Sequence, residues 1–262
     1  MDILPEDSSA KTLYFRAIRS RSLAAVEIPV SLGADVTWRD EVGSPGLHLL
    51  TVRQEVDKLE FLLSKGADIN QTDRKGRTPL MVACLCGLPA MVERLCQVPG
   101  INLNSRDDTW VKFTALLFAV TVSDSLNHLQ CVEKLRAVTG VDWDAVDSYF
   151  GFSAIMAAVH LGFTGIVETL LPVSNLSLTN TDGDTVAHLA VKSTKAVALR
   201  ILQVLCQDGR VDWNTLDREG KSPAMIALEL NKVDMFRCLV RTPGVDTDLT
   251  DGEGRNLLQL IM

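Results

Sequence analysis

One phrase recurs along this chain and limits what it can fold into, and its clearest copy spans residues 73–95. Gly76 permits a tight turn, the Thr78 hydroxyl can cap a helix, and Pro79 suits the first helical position, where no backbone N–H is needed. Pro89 then begins a second helix. Two helices of about two turns bury too little apolar surface to be stable alone. Such a unit therefore needs a similar neighbour on each side.

Further copies of the phrase follow one another at steps of 32 to 39 residues. Two other markers keep the same register: a leucine pair in the second helix, as at Leu62-Leu63, and the sequence GADIN at 66–70 with its echoes. Two copies miss the leucine marker because extra residues separate their helices, around 122–127 and 193–195. The copies open at Ala10, Gly43, Gly76, Lys112, Gly151, Gly183, Gly220 and Gly254, with Ala10 and Lys112 in place of the glycine.

A period of this size, with GRTPLMVA at 76–83, resembles the ankyrin repeat, whose signature is T-P-L-H-x-A followed by two helices. The resemblance implies an all-α solenoid of stacked helix-turn-helix repeats with β-turn fingers. It predicts an N-terminal lead-in at 1–9 and a single ankyrin-repeat domain at 10–262, with a partial last repeat near Gly254. That last phrase stops inside a first helix, so either it is an unusual cap or the chain is a fragment of something longer.

Three local departures carry structural expectations. Pro29 falls inside a second helix and should shorten or bend it. Pro45-Gly46 replaces T-P, so the first helix of that repeat should begin late and fray. His128 is expected in a loop insertion.

Composition narrows the setting. The net charge is −7, which argues against nonspecific binding to nucleic acid or to an acidic membrane. No apolar run approaches a membrane span, and the N-terminus shows no secretory signal. The six cysteines have no second pair at metal spacing and are expected to be free thiols. We therefore predict an intracellular protein, cytoplasmic and/or nuclear, without membrane insertion.

The search for catalytic residues finds little. The resemblance implies that His48 and His188, in the histidine position of the T-P-L-H phrase, tie neighbouring turns together by hydrogen bonds. No serine or cysteine nucleophile stands in a local signature, and no phosphate-binding glycine motif occurs. The sequence from Asp251 to Gly254 lacks the ligands of a calcium loop and predicts a plain turn. We expect no enzyme activity, no metal, no cofactor and no small-molecule substrate.

The resemblance also indicates where a partner would bind. In ankyrin arrays the turn around each opening glycine and the end of the first helix line a concave side. Several aromatic residues occupy such positions, where exposed aromatic side chains commonly mark an interaction site. The alternative is that lengthened loops bury them. A basic cluster suggests an acidic partner segment. The predicted partner-binding residues are Arg74, Lys75, Arg77, Trp110, Phe113, Tyr149, Phe150, Phe152 and His160.

Other polar and aromatic positions have a simpler interpretation. Trp143 and Trp213 replace the apolar residue of GADIN and are expected to pack under the linker. Asn70 lies in the context that the family offers for asparagine hydroxylation, although it can equally satisfy backbone groups in its turn.

Together these features predict a non-catalytic module that binds another protein by its concave face and fingers, as an adaptor, scaffold or inhibitor. Two rival functions remain: a regulatory or targeting segment of a larger protein, such as an enzyme or channel, and a purely structural array with no dedicated partner.

Overall fold

The computed structural model describes residues 8–261, and their regular structure is helical. Within these residues the nearest approach to a β-strand is an isolated bridge between Arg39 and Pro45. A short 3-10 turn, Leu171–Val173, follows the tenth helix. The α-helices are α1 (Ser8–Arg19), α2 (Leu23–Ser31), α3 (Gly46–Arg53), α4 (Val56–Ser64), α5 (Pro79–Leu85), α6 (Pro89–Cys96), α7 (Ala115–Thr121), α8 (Leu126–Arg136), α9 (Ala154–Leu161), α10 (Thr164–Leu170), α11 (Val186–Lys192), α12 (Ala198–Cys206), α13 (Pro223–Glu229), α14 (Val233–Val240) and α15 (Leu257–Ile261).

The first helix of a repeat begins where its opening phrase predicts. In α5, Thr78 is the N-cap and its hydroxyl accepts a hydrogen bond from the backbone N–H of Met81 at 3.3 Å, with Pro79 in the first turn. Ser222 caps α13 in the same way. These first helices are mostly buried, because repeats on both sides cover them.

The opening glycines hold a left-handed backbone that the turn requires. Gly76 has φ +72°, and a Cβ there would lie 2.5 Å from the backbone nitrogen of Asp108. That nitrogen donates to the carbonyl of Lys75 at 2.8 Å, so one turn rests directly on the next. Lys112 has φ +59° and keeps the left-handed conformation without being a glycine. Lys112 thus shares the backbone conformation of the opening glycines, and its place as the start of a repeat stays a prediction.

The expectation that Pro29 shortens its helix is wrong. The helix α2 continues through Pro29 and ends at Ser31. Proline removes one donor from the helix, but its carbonyl still accepts a hydrogen bond from the backbone N–H of Ala34 at 2.9 Å.

The expectation of a late start after Gly43 is also wrong. The helix α3 begins at Gly46, three positions after Gly43, just as α5 begins at Pro79 after Gly76. Pro45 acts as the N-cap with an extended backbone. Glycine is needed at the next position because a Cβ on Gly46 would lie 2.6 Å from the hydroxyl oxygen of Tyr14.

His128 does not lie in a loop. It belongs to the first turn of α8, where the Ser125 hydroxyl oxygen accepts a hydrogen bond from its backbone N–H at 3.4 Å. Its ring is buried, and Nε2 lies 3.4 Å from the carbonyl oxygen of Leu85 at the end of α5. The extra residues therefore extend a helix and cap a neighbouring one, instead of forming a long loop.

Lysines cap two other first helices from the following repeat. The buried ammonium group of Lys58 donates to the carbonyls of Ile18 and Ser20, at the C-terminal end of α1. Lys232 donates to the Val191 carbonyl at 2.6 Å, at the end of α11. Burial lowers the pKa of Lys232. These cations complete helix ends that otherwise lack partners for their last carbonyls.

The helices pack within two compact regions. The first region runs up to Ala119 and includes Ser125–Val141, and the second contains Val120–Asp124 and the chain from Asp142 onward. In the second region α9 packs on α11 and α11 on α13, while α10 packs on α12 and α12 on α14. First helices thus stack on first helices, and second helices on second helices, as a repeat array requires. The first region follows the same rule, with α1, α3 and α5 in one row.

Candidate functional site

The finger turns are the loops around each opening glycine, and buried carboxylates hold them in shape. Asp73 accepts hydrogen bonds from the backbone N–H groups of Lys75 and Arg77 at 2.8 and 3.0 Å. Asn180 does the same with its amide oxygen toward Asp182 and Asp184. These turns are therefore well ordered platforms for the side chains that they display. The carboxylates and amide that act in this way belong to Asp40, Asp73, Asp107, Asp147, Asn180, Asp217 and Asp251.

The structural role of these residues was not predicted from the sequence, although their spacing carries a signal. In five of the turns the aspartate or asparagine stands three residues before the glycine, as in Asp73 and Gly76. Asp251 belongs to this set, so its sequence forms the plain turn that was predicted.

The finger turn at 147–152 presents the main aromatic cluster. Asp147 accepts from the backbone N–H groups of Tyr149 and Phe150, each at 2.7 Å, and from that of Phe152 at 2.9 Å. Tyr149 is 53% exposed and Phe150 is 50% exposed. Their rings meet edge to face, with centroids 4.4 Å apart. A rigid turn thus holds two large apolar side chains in solvent.

Phe152 corrects the expectation that the whole cluster is exposed, because it is only 8% exposed. Its ring stacks on Phe150, with centroids 5.2 Å apart, and lies 5.2 Å from the exposed ring of His160. Phe152 thus packs under Phe150, and Phe150 in turn contacts Tyr149. The alternative of burial therefore holds for Phe152 and fails for Tyr149 and Phe150.

A cleft of about 460 Å³ opens beside this cluster. Its walls come from the turn at 147–152, the turn at 180–184 and the segment that follows α11. Exposed residues of both charge signs stand at its edge, namely Asp182 and Lys195. The cleft is lined among others by Phe150, Phe152, His160, Asp182, Lys192 and Lys195.

Lys192 fixes one wall of the cleft. Its ammonium nitrogen lies 2.6 Å from Asp184 and 3.0 Å from Asp217, two carboxylates whose side chains are almost fully buried. Burial alone would lower the pKa of Lys192, but the hydrogen bonds to both carboxylates outweigh it and raise the pKa. Burial would likewise raise the pKa of Asp217, yet its backbone and Lys192 hydrogen bonds hold that pKa below its usual value. The charges in this wall are therefore satisfied internally.

The first compact region carries the other aromatic candidates. Trp110 is 69% exposed, at the tip of a lengthened finger. Phe113 is half-buried and packs edge to face on Phe118, with centroids 5.4 Å apart. Its backbone N–H donates to Asp107 at 2.7 Å. Trp110 therefore meets the exposure expectation, and Phe113 meets it only in part.

The basic cluster is smaller than the sequence suggested. Arg77 forms a two-pronged ion pair with Asp73, at 2.8 and 2.6 Å, inside its own turn. Arg74 is exposed, and its guanidinium donates to the carbonyl of Glu41 at 3.1 Å. Lys75 is exposed as well. The charge available to a ligand thus belongs to Arg74 and Lys75.

The phrase histidines join successive repeats, as expected. Nε2 of His48 lies 2.6 Å from the carbonyl oxygen of Arg77, and Nε2 of His188 lies 3.0 Å from that of Lys221. Nδ1 of His188 accepts from the backbone N–H of Thr185, so the proton of the neutral ring is on Nε2. Burial lowers the pKa of both histidines.

Asparagine side chains connect the loop that follows one second helix to the corresponding loop of the next repeat. The side-chain amide of Asn70 donates to the carbonyl of Gly100 at 2.8 Å, and its oxygen accepts from the N–H of Asn102 at 2.8 Å. Asn104 and Asn214 donate in the same way to Gly140 and Gly244. Asn70 thus has the structural role that the sequence offered as one alternative, and its hydroxylation stays a prediction.

The tryptophans in the linker position differ from each other. Trp213 is buried, at 4% exposure, as expected. Trp143 is half-buried, so it packs under its linker only in part.

Between residues 8 and 261, no group of three or more histidine, cysteine, aspartate or glutamate residues is placed to hold a metal ion. None of the helices in the same range has the length and apolarity to cross a membrane.

Comparison with known proteins identifies the class to which this repeated helical architecture belongs. The family model for ankyrin repeats matches residues 7–107 and 116–209. This chain belongs to the ankyrin-repeat family. Its described part is the all-α stack of repeats that the family defines.

Individual relatives agree with that assignment. The chain is 28% identical over 241 residues to ankyrin repeat protein nuc-2 of Neurospora crassa, covering 91% of this chain and 22% of nuc-2. It is 25% identical over 239 residues to the mouse B-cell lymphoma 3 protein homolog, covering 88% of this chain and 51% of the homolog. This chain therefore spans about a fifth and about half of these two relatives.

A solved structure extends the comparison to the fold. The ankyrin repeat domain of Bcl-3, described as a unique member of the IkappaB protein family, matches with a TM-score of 0.73 and 24% identity. The match covers 88% of this chain and 99% of that domain. At this identity the likeness concerns the fold alone.

Proposed function

We propose that this chain binds another protein, without catalysis, through the finger turns of its repeats. The observation that carries the proposal is the pair Tyr149 and Phe150, which stay half exposed although their turn is fixed by Asp147. Exposing two adjacent aromatic rings is unfavourable for an isolated protein, and a partner that covers them recovers that free energy. Ankyrin repeats generally serve as interaction modules, which agrees with the proposal.

The partner segment places an apolar or aromatic side chain on the outer rings, at the mouth of the neighbouring cleft. The Phe150 ring already packs on Phe152, which in turn lies against His160, so little side-chain freedom of Phe150 is lost when the partner binds. In the first region, Trp110 supplies a second aromatic contact, and exposed Arg74 and Lys75 favour an acidic stretch of partner. We propose a protein as the partner, and not nucleic acid, lipid or a small-molecule substrate. We propose that the chain meets this partner inside the cell.

A paired capture experiment tests the proposal. The chain, a Tyr149→Ala/Phe150→Ala variant and a matched control are used to retain proteins from lysate, and the retained proteins are quantified by mass spectrometry. The control, Val233→Ala/Val240→Ala, removes two exposed apolar side chains from α14, 48% and 38% exposed. Circular dichroism and melting first establish that all three fold alike.

The proposal predicts a partner that the chain and the control retain and the aromatic variant loses, with affinity weakened roughly thirty-fold or more. Equal retention of the same proteins by both variants would place the binding elsewhere and overturn the proposed site.

A second candidate function is that of a regulatory or targeting segment in a larger protein. The observation in its favour is that this chain spans 22% of nuc-2 and 51% of the mouse homolog. An antibody raised against this chain shows whether the source cells contain it as a segment of a larger protein or as a protein of its own size. A band well above 28.7 kDa on a denaturing gel supports the larger protein, and a band at that mass contradicts it.

A further inference from the structure

The second helices of two consecutive repeats bring two thiols together. Cys206 is the last residue of α12, and Cys238 lies in the final turns of α14. Their sulfur atoms are 3.6 Å apart, although 32 positions separate them in the chain. Both belong to the second compact region, in which α12 packs directly on α14.

Both residues are free cysteines, and each is only partly buried. Burial, together with the nearby Cys238 sulfur, raises the pKa of Cys206 to about 11, so this thiol keeps its proton at neutral pH. The hydroxyl of Thr242 donates to the Cys238 carbonyl at 2.9 Å and anchors the helix end beside the pair.

We propose that Cys206 and Cys238 form a redox modification site, which a peroxide converts to a disulfide that joins two consecutive repeats. A disulfide has a sulfur–sulfur bond of about 2.05 Å, so the sulfurs must approach each other by roughly 1.5 Å. Side-chain rotation and a small shift at the C-terminal ends of the two helices would supply that movement.

The chemistry balances with hydrogen peroxide as the oxidant. One thiol first loses its proton, and the resulting thiolate attacks a peroxide oxygen; the O–O bond breaks, and the hydroxide that leaves takes up that proton to become water, which gives a sulfenic acid. The second thiol loses its proton in the same way and attacks that sulfur; the S–O bond breaks, and the hydroxide that leaves takes up the proton as a second water. The sulfurs lose two electrons to the peroxide, and the protein loses two hydrogen atoms.

The bond would close a loop across two repeats. In a repeat array each repeat contacts only its neighbours, so a crosslink between two neighbours opposes the local unfolding of these two repeats. We expect oxidation to raise the melting temperature of the chain, and a thiol reductant to reverse the rise.

The reduced chain, freed of reductant, is treated with hydrogen peroxide, remaining thiols are alkylated, and the protein is digested with trypsin. Cleavage releases peptides 201–210 and 238–241, each with one of the two cysteines. We expect these peptides to appear linked, the link to disappear with dithiothreitol, and the melting temperature of the oxidised chain to be higher by roughly 5 °C.

Three variants make the test specific. Cys206→Ser and Cys238→Ser should each abolish the linked peptide and the rise in melting temperature. Cys96→Ser is the matched control, because Cys96 is also the half-buried last residue of a second helix, and it should behave like the unaltered chain. The proposal is overturned if peroxide leaves the two cysteines unlinked or oxidises them separately, or if Cys206→Ser keeps the rise.

Discussion

The ammonium group of Lys192 lies 3.0 Å from a carboxylate oxygen of Asp217, which belongs to the finger turn of the following repeat. The same group lies 2.6 Å from Asp184 in its own turn. One cation thus ties two turns together beside the proposed binding cleft.

Replacing Lys192 by alanine should destabilise the chain, because it leaves two buried carboxylates without their shared cation. We expect a loss of about 1–2 kcal/mol in the free energy of unfolding; a fully buried pair would lose more, but the Lys192 side chain is 36% exposed and partly screened by solvent. Urea denaturation measures the loss. Lys195→Ala removes a nearby exposed lysine and should change stability by less than about 0.5 kcal/mol. Equal effects of the two variants would show that the bridge is not stabilising.

Asp217 should tolerate asparagine better than alanine. Its Oδ1 accepts from the N–H groups of Glu219 and Lys221, and Asn180 shows that an amide oxygen fills this role in an equivalent turn. Asp217→Asn therefore loses only the ion pair, at about 1 kcal/mol, whereas Asp217→Ala also loses the turn and should cost about 3 kcal/mol. Urea denaturation of both variants checks the order, and equal losses would contradict the assigned role of the oxygen.

Acid should lower the free energy of unfolding through His48 and His188, the two histidines that join successive repeats. Burial lowers the folded-state pKa of His48 and His188 below the ordinary 6.5. As pH falls from 7 towards 5, the unfolded chain takes up protons that the folded chain refuses, so the free energy of unfolding decreases. For each histidine, the free energy of unfolding can fall by at most about 1.4 kcal/mol per pH unit.

Urea denaturation at pH 7, 6 and 5 measures that slope. A His48→Gln/His188→Gln variant should be less stable at pH 7 but lose less on acidification. A variant slope as steep as that of the unaltered chain would show that other groups cause the acid sensitivity.

Mutation should show which rings of the aromatic cluster belong to the core and which to the surface, because only the loss of a core ring should strongly reduce stability. Phe152→Ala removes a ring that is 8% exposed and should cost about 3 kcal/mol of stability. Phe150→Ala removes a ring that is 50% exposed and should cost less than about 1 kcal/mol. Thermal melting distinguishes the two variants. If Phe150→Ala were as damaging as Phe152→Ala, the outer rings would be part of the core and not a surface for a partner.

The sequence determined the repeat register because each marker has a local cause. Thr78 caps a helix, Pro79 fits its first turn, and Nδ1 of His188 accepts from the backbone N–H of Thr185, all within a few residues of the opening glycine. The finger aspartates have an equally local cause, and their spacing before the glycines could have revealed them. These features need no knowledge of distant packing.

The aromatic site depended on contacts that no local pattern encodes. Phe150 and Phe152 stand two positions apart in the same lengthened turn, yet one is exposed and the other buried. Phe152 packs against Phe150 and against His160 of α9, and the sequence of the turn does not reveal this packing. The need for glycine at position 46 likewise arises from a distant contact, because the hydroxyl group of Tyr14, more than thirty positions earlier, occupies the space that a side chain would need. Arg77 seemed available to a ligand because its pairing with Asp73 becomes visible only in the folded turn.

The most direct test of the proposed function is site-specific photocrosslinking, with a benzophenone-bearing phenylalanine analogue at position 149 and, as the control, at position 240. Irradiation in lysate should join one protein to the analogue at position 149 and not to that at position 240. Excess unaltered chain should suppress this adduct, and excess Tyr149→Ala/Phe150→Ala variant should not. Equal adducts at both positions, or suppression by the aromatic variant, would contradict the assignment of partner binding to this finger turn.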